Sequence, residues 1–298
     1  MTRIRRTVLL TLVLALVPGA LAHAADRGAA SSGAAWIAGA VPAGADGQAA
    51  DALVALRAAD RLSAADATRR AAALRAGAAR YATTAGATAK VILGLVAARS
   101  GSARCAAGGV DLLTRLQGFG RRGRYGTTIF DQALGMLAMH ALRAGPPPST
   151  VKVLLAARGA GGWNFNATST DGRDDDVTST ALALLAARAA GVSPRDGTLR
   201  AGLRWLLAQR TPAGGFALGR RDRNEANSTA LAIEAERAMG RADARADQAL
   251  STLQRSDGAF QFTREDAGSR VLASLDAVVA LAGRRLPVGV VRATPSRC

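Results

Sequence analysis

The sequence has 298 residues and a formal net charge of +17 at pH 7, from 39 Lys and Arg against 22 Asp and Glu. This length is sufficient for one large domain with a complete hydrophobic core. Such a positive charge can attract nucleic acid or an anionic cell-envelope surface. However, the arginines are scattered among alanines rather than gathered in a basic stripe, so we expect no dedicated nucleic-acid site.

Residues 1–24 have the pattern of a secretory signal peptide. Three arginines precede an apolar run from Val8 to Val17, and Ala22-His23-Ala24 provides small residues at a cleavage site. The run is shorter than the roughly 20 residues that a membrane-spanning helix needs. We expect cleavage near Ala24, export to the medium, the periplasm or the exterior of the cell envelope, and no membrane span.

Cys105 and Cys298 are the two cysteines of the sequence. In an exported protein they can form a disulfide that ties the last residue to the domain. Two free thiols are equally compatible with the sequence. Neither cysteine has the spacing of a metal ligand, and we expect no metal site and no cofactor.

One helical unit recurs along residues 45–283. Alanine-rich helices end at a small residue followed by glycine, at intervals of 43 to 49 residues. A glycine just past a helix is the usual left-handed cap. These glycines are Gly101, Gly145, Gly191, Gly240 and Gly283. Units of this length cannot bury their apolar faces alone, so the pattern indicates stacked repeats.

Each unit consists of a helix, a turn with glycine and an aromatic residue, and a second helix. The turns read LQGFGRRGRYG, AARGAGGWNF, AQRTPAGGFAL and LQRSDGAFQF. Ser or Thr near the start of each second helix suits an N-cap. The aromatic residue is expected to pack between neighbouring units, because the adjacent glycines allow a close approach.

The stretch RAGLRWLLAQRTPAGGF at 200–216 resembles the glutamine–tryptophan repeat of squalene–hopene and oxidosqualene cyclases. It contains the Trp, Gln, Gly and aromatic residue of that repeat as Trp205, Gln209, Gly214 and Phe216. Looser copies include Tyr125 or Phe260, and the unit at 161–191 has Gly162 and Trp163 without the glutamine. The resemblance covers roughly residues 35–283. The wider group includes prenyltransferase β subunits and secreted cobalamin carriers.

This resemblance implies an all-α fold, an α/α toroid of about six helical hairpins. The helices capped by Ser or Thr would be the inner set around a central cavity, with an outer set behind them. The toroid would comprise residues 45–283, preceded by an N-terminal segment at 25–44 and followed by a tail at 284–298. The first outer helix is expected to be missing or degenerate, which would leave the ring incompletely closed at the N-terminal repeat.

Three aspartates at 174–176 raise the question of catalysis. Class II terpene cyclases use the central acid of an Asp-x-Asp-Asp-Thr-Ala motif to protonate an alkene. Aligned on Thr180-Ala181, the acid position here is Thr178, and a hydroxyl is far too weak an acid for that step. We therefore expect no catalytic residue; the weak candidates are Asp174, Asp175 and Asp176.

The same aspartates have simpler explanations. Carboxylates before a helix stabilise its N-terminus. A calcium loop that also uses Asp171, or a polar rim at the cavity mouth, remains an alternative. The candidate ligand-binding residues are polar or aromatic groups near the starts of the inner helices. They are Trp163, Asn164, Asn166, Asp176, Thr178, Asn224, Glu225, Asn227 and Asp266.

Together these features favour a secreted, non-catalytic protein that binds a small hydrophobic or corrinoid-like molecule in the toroid cavity. A class II terpene cyclase is one alternative. A protein-interaction scaffold held on the anionic cell envelope by its basic exterior is another.

Overall fold

The computed structural model describes residues 19–168, 171–219, 223–291 and 298, with side chains from residue 27 onward. Most of the predicted signal peptide lies outside the described residues. The described residues form twelve helices and a single two-stranded sheet, so the predicted all-α class is confirmed. The helices are α1 (Gly19–Ala40), α2 (Gly47–Ala58), α3 (Ala64–Tyr81), α4 (Ala85–Ala98), α5 (Leu112–Phe119), α6 (Ile129–Ala141), α7 (Pro148–Ala156), α8 (Val177–Ala189), α9 (Gly197–Ala208), α10 (Ala226–Ala238), α11 (Ala244–Ser251) and α12 (Arg270–Leu281). The antiparallel strands β1 (Cys105–Ala106) and β2 (Val110–Asp111) lie between α4 and α5.

The six even-numbered helices, here called the central helices, form the core. They are rich in Ala, Leu and Val and are buried on most sides. Each packs against the next one along the chain, and α12 also packs against α2, so the series of contacts closes on itself. The odd-numbered outer helices pack behind them.

Local sequence chemistry explains where the central helices begin and end. Side chains of Asp46, Thr84, Thr128, Asp176 and Ser269 accept a backbone N–H of the first turn of α2, α4, α6, α8 and α12, respectively. Such caps satisfy donors that the helix itself cannot pair. Glycines in the left-handed region follow α8, α10 and α12, as predicted, with φ of 86°, 79° and 71°.

Arginines connect the C-terminal ends of neighbouring central helices. Arg57 of α2 donates to the carbonyls of Ala97 and Ala98 in α4, with N–O distances of 2.7 and 3.2 Å. In the same way Arg188 of α8 donates to the last helical carbonyl of α10, and Arg237 of α10 donates to a carbonyl in the last turn of α12. A guanidinium at a helix C-terminus pairs carbonyls that would otherwise be unsatisfied and favours the helix dipole.

The aromatic residue of each turn packs into the core, and Trp163 and Phe260 lie against glycines of another unit, Gly202 of α9 and Gly33 of α1, as predicted. Tyr125, Trp163, Phe216 and Phe260 are all buried. Their backbone N–H groups donate to a side-chain oxygen in the following central helix, at 2.8 to 3.0 Å. The acceptors are Gln132, Thr180, Thr229 and Ser274. Thr180, the second threonine after the aspartates at 174–176, therefore holds the Trp163 turn in place.

Glycines make room for these rings. A Cβ on Gly202 of α9 would lie 2.4 Å from the Trp163 ring, and a Cβ on Gly161 would lie 2.2 Å from the Trp205 ring. Neither distance is possible for packed atoms, so each ring occupies space that only glycine leaves open. The two tryptophans thus interlock the units that contain α7 and α9.

We expect Trp163→Ala to lower the free energy of unfolding by about 3–5 kcal/mol, the usual loss for a fully buried aromatic residue. Trp163 is 0% exposed, and its Nε1 donates to the Leu154 carbonyl at 2.7 Å. Phe165→Ala is the matched control, because Phe165 is 52% exposed and its loss should be about 1 kcal/mol or less. Urea unfolding followed by circular dichroism measures both. Equal losses in the two variants would show that the turn aromatic does not tie the units together.

The N-terminal segment departs from the prediction. The repeat pattern predicts no clear outer helix ahead of α2, whereas α1 packs there against α12, α2 and α11. Its sequence is rich in Gly, Ala and Ser, which weakens both helix propensity and apolar periodicity. These small residues permit close packing, since a Cβ on Gly33 would lie 2.7 Å from Val278 and 2.9 Å from Phe260.

Candidate functional site

A cavity of about 310 Å³ lies among the central helices. Residues from all six of these helices line it, together with Leu286 from the segment after α12. The lining residues are Asp51, Val54, Lys90, Phe130, Leu134, Thr178, Leu182, Asn227, Leu231, Glu234, Leu272, Leu275, Asp276, Val279 and Leu286. Four other clefts in the described part of the chain each involve only some of the central helices or none.

The sequence places these side chains by helical spacing. Phe130 and Leu134 in α6, Thr178 and Leu182 in α8, and Asn227 and Leu231 in α10 are pairs four residues apart. Residues with this spacing lie one above the other on a single helix face. Nine of the fifteen lining residues are aliphatic or aromatic, while the six polar ones come from α2, α4, α8, α10 and α12.

An ion pair and an amide–carboxylate contact form the polar part of the wall. Lys90 Nζ of α4 lies 2.5 Å from Asp51 Oδ2 of α2. Asn227 of α10 donates through Nδ2 to Asp276 Oδ2 of α12 at 2.6 Å, and to the Leu272 carbonyl at 3.1 Å. The cavity therefore has an apolar surface with a cluster of charged and polar groups on one side.

Glu234 adds a third carboxyl group. It is 1% exposed, and its Oε2 accepts the Leu286 backbone N–H at 2.8 Å. Burial raises the pKa of Glu234 to about 8, although the Leu286 N–H partly offsets this. Burial likewise raises the pKa of Asp276 to about 6, with the Asn227 hydrogen bond acting in the opposite direction. Removal from water disfavours the charged form of a carboxyl group, so both groups hold protons more strongly than in water.

Lys90 stays charged. Burial alone lowers its pKa, but the neighbouring Asp51 carboxylate outweighs burial, and the net pKa of Lys90 is raised. Its ammonium is committed to Asp51 by the short ion pair. The site therefore combines one internal ion pair with two carboxyl groups whose pKa values, about 6 for Asp276 and about 8 for Glu234, lie on either side of neutral pH.

The three aspartates at 174–176 do not line this cavity. Asp174 is exposed. Asp175 Oδ2 accepts the backbone N–H groups of Gly161 and Gly162 at 3.1 and 2.7 Å, and Asp176 Oδ1 accepts that of Ser179 at 2.7 Å. Asp175 thus shapes the turn and Asp176 caps α8, which are the structural roles that carboxylates before a helix commonly have.

Of the nine predicted ligand-binding residues, Thr178 and Asn227 line the cavity. The other seven do not. Trp163 is buried against α9, Asn164 is buried in its turn, and Asn166 and Asp266 are exposed. Asn224 accepts the Gly215 N–H, while Glu225 accepts the Leu218 N–H, so both stabilise the turn equivalent to the one at Trp163.

The four charged or ionisable residues of the cavity lie outside the predicted set: Asp51, Lys90, Glu234 and Asp276. A signal for three of them exists in the sequence. Asp51, Lys90 and Asp276 are the single charged residues of the largely apolar stretches ADALVAL, TAKVILGLV and LASLDAVVAL. A charge among buried positions needs a partner or a function, and this rule would have identified them.

The segment after α12 closes one end of the central helices. Leu286 lines the cavity, and the Val291 N–H donates to the Ala141 carbonyl at the end of α6, at 2.8 Å. The chain is then joined at Cys298 to Cys105 of β1 by a disulfide. Of the two alternatives that the sequence left open, the structure has the bonded one, with a sequence separation of 193 between the two cysteines.

His140 lies near the C-terminal end of a central helix. It is the second-last residue of α6, where α8 and α10 have Arg188 and Arg237. Burial lowers its pKa, so it is neutral near pH 7. Among the described residues, no three His, Cys, Asp or Glu side chains are grouped so that they could hold a metal ion.

None of the helices in the described ranges is both long and apolar enough to cross a membrane. A comparison of the chain with protein-family models finds no matching family, and a search of curated proteins finds no match. The resemblance to the cyclase repeat therefore rests on the turn aromatics, the glycines and the glutamines that carry it.

Proposed function

We propose that the protein is a secreted α/α toroid of the squalene-cyclase and prenyltransferase repeat type, and that it binds a small hydrophobic ligand in its central cavity without transforming it. The observation that carries this proposal is the cavity of about 310 Å³ that all six central helices line. The closed series of contacts from α2 to α12 and back supports the toroid. Mostly apolar cavities of about 300–1,000 Å³ with a few polar groups are typical of small-molecule sites.

The size and chemistry of the cavity favour one ligand class. At the lower end of the small-molecule range, the cavity suits a compact hydrophobic molecule much better than a corrinoid. The acidity of the cavity carboxyl groups argues against a cyclase, which needs a strong acid to protonate an alkene. Asp276 and Glu234, with pKa values of about 6 and about 8, are weaker acids than an ordinary carboxylic acid. We therefore expect no cyclic product from squalene.

The charge of the exterior and the disulfide are consistent with an exported protein. The full sequence has a net charge of +17, which becomes +14 when Arg3, Arg5 and Arg6 leave with the signal peptide. Such a charge would favour an anionic envelope surface at low ionic strength. The scaffold alternative predicts salt-dependent retention on envelope fragments by a protein whose cavity takes up no ligand.

Native mass spectrometry of the chain that starts at Ala25, after incubation with a total lipid-and-cofactor extract, tests the proposal. We expect one ligand per chain, with a mass that distinguishes a hydrophobic compound from a corrinoid. Leu134→Trp should fill the cavity and lower ligand occupancy about tenfold or more, because it removes the space that the ligand needs. Leu218→Trp is the control, since Leu218 lies outside the cavity and is 57% exposed.

Circular dichroism of both variants separates loss of binding from loss of folding. A chain that takes up no compound from the extract would contradict the proposed function and favour the scaffold. Equal ligand uptake by wild type and a folded Leu134→Trp variant would show that the ligand binds elsewhere.

A further inference from the structure

The cavity wall has more acidic groups than basic ones. Three carboxyl groups line it, Asp51, Glu234 and Asp276, against a single ammonium group, Lys90. Lys90 is paired with Asp51. In the described part of the chain, no salt bridge joins Glu234 or Asp276 to a cation. The charge of Arg237 lowers the pKa of Glu234. However, Arg237 donates to both carboxylate oxygens of Asp247, at 2.7 and 2.9 Å.

The cavity also has more hydrogen-bond acceptors on its carboxyl groups than donors to pair with them. Asp276 receives the Asn227 amide, and Glu234 receives the Leu286 backbone N–H. A carboxylate can accept about four hydrogen bonds, so both groups retain capacity for a donor. Hydrogen bonds from a charged donor to a carboxylate are about twice as strong as neutral ones, and a buried carboxylate without a cation is costly.

We infer that the ligand is a small apolar amine, whose ammonium group binds Asp276 with Glu234 beside it and whose hydrocarbon part lies against Leu182, Leu231 and the other apolar wall residues. This inference rests on the proposed ligand-binding function and specifies its ligand class. A fatty acid would bring a further negative charge to the carboxyl groups. An alcohol would donate one neutral hydrogen bond and leave the charge unmatched.

The charged groups around Asp276 determine how binding depends on pH. Asp51 of α2 and Lys90 of α4 act on Asp276 directly, and Asp276 acts on Glu234 of α10. Tyr81 of α3 acts on Lys90, and Arg237 of α10 acts on Glu234. The raised pKa values of Asp276 and Glu234 mean that both carry protons at pH 5 and lose them as the pH increases. An alkylamine stays protonated up to about pH 10. Amine affinity should therefore increase between pH 5.5 and pH 8.5.

Isothermal titration of the full chain with decylamine, decan-1-ol and decanoic acid tests the inference, since the three probes share one chain length. We expect decylamine to bind at least about tenfold more tightly than decan-1-ol at pH 8, the effect of one charge-assisted hydrogen bond. Decanoic acid should bind more weakly than either. Asp276→Asn should reduce the preference for the amine to about threefold or less, because the amide keeps the shape but not the charge.

Asp60→Asn is the matched control, because it makes the same change at an exposed residue that does not line the cavity. Its preference for decylamine should equal that of the wild type. If decan-1-ol binds as tightly as decylamine, or decanoic acid binds more tightly, the amine inference is wrong while the hydrophobic-ligand function stands. If none of the three probes binds, both proposals fail.

Discussion

Replacing both Cys105 and Cys298 with serine should lower the free energy of unfolding by about 5 kcal/mol. The disulfide closes a loop of 193 residues, and in the chain-entropy model a loop of that length stabilises the native state by about 5 kcal/mol. Residual structure in the unfolded chain would reduce this figure. The loss is large compared with a total stability of about 5–15 kcal/mol for a typical domain.

Guanidinium unfolding of wild type, of wild type with a thiol reductant and of the double variant measures this loss. The reduced wild type should match the double variant, and the reductant should have no further effect on the variant. A difference below about 1 kcal/mol between oxidised and reduced wild type would show that the disulfide barely constrains the unfolded chain. Retention of cooperative unfolding in the variant would show that the helical core folds without the bond.

Local chemistry explains what the sequence predicted correctly. Helix ends depend on nearby residues, so Asp176 and Gly191 could be recognised as a cap and a stop without knowledge of the fold. The turn aromatics were equally accessible, because Trp163 and Phe216 recur with glycines at the same place in each unit. The all-α class and the burial of these rings follow from such short-range patterns.

The cavity could be predicted much less well. Which face of α2, α4 or α12 meets the centre depends on how all six central helices pack, and this is not a local property. Polar residues recur before the helices, and this recurrence led to the prediction that Asn224 and Glu225 bind a ligand. In the structure both accept backbone N–H groups of their own turn. The residues that do face the centre, such as Asp276, occur once and therefore have no repeat signal.

The N-terminal helix α1 is a second feature that the sequence pattern did not predict. Its small residues make its helical pattern weak, but they are what allows α1 to approach Phe260 and Val278 closely. Apolar periodicity detects helices that bury large side chains. It is much less sensitive to a helix that packs through Gly and Ala, so the closing contact with α12 was not foreseen.

Raising the pH from 5.5 to 8.5 should destabilise the wild-type protein by up to about 3 kcal/mol, because of Glu234. Its folded-state pKa is raised from 4.5 to about 8. A carboxyl group with a raised folded-state pKa contributes stability that is fully present below pH 4.5 and is lost as the pH rises through about 8. Asp276 acts in the same direction at lower pH, since its folded-state pKa is about 6.

Glu234→Gln should remove most of this pH dependence, because the amide fits the same space, can still accept the Leu286 N–H and does not ionise. Urea unfolding at pH 5.5, 7 and 8.5 measures the effect in both proteins. Glu265→Gln is the control at an exposed site and should follow the wild type at every pH. A wild-type stability that is constant or increases over this range would mean that Glu234 stays ionised in the folded protein. In that case the cavity would contain a cation or water that keeps the carboxylate charged, because an unpaired carboxylate at that depth is not stable in an apolar wall.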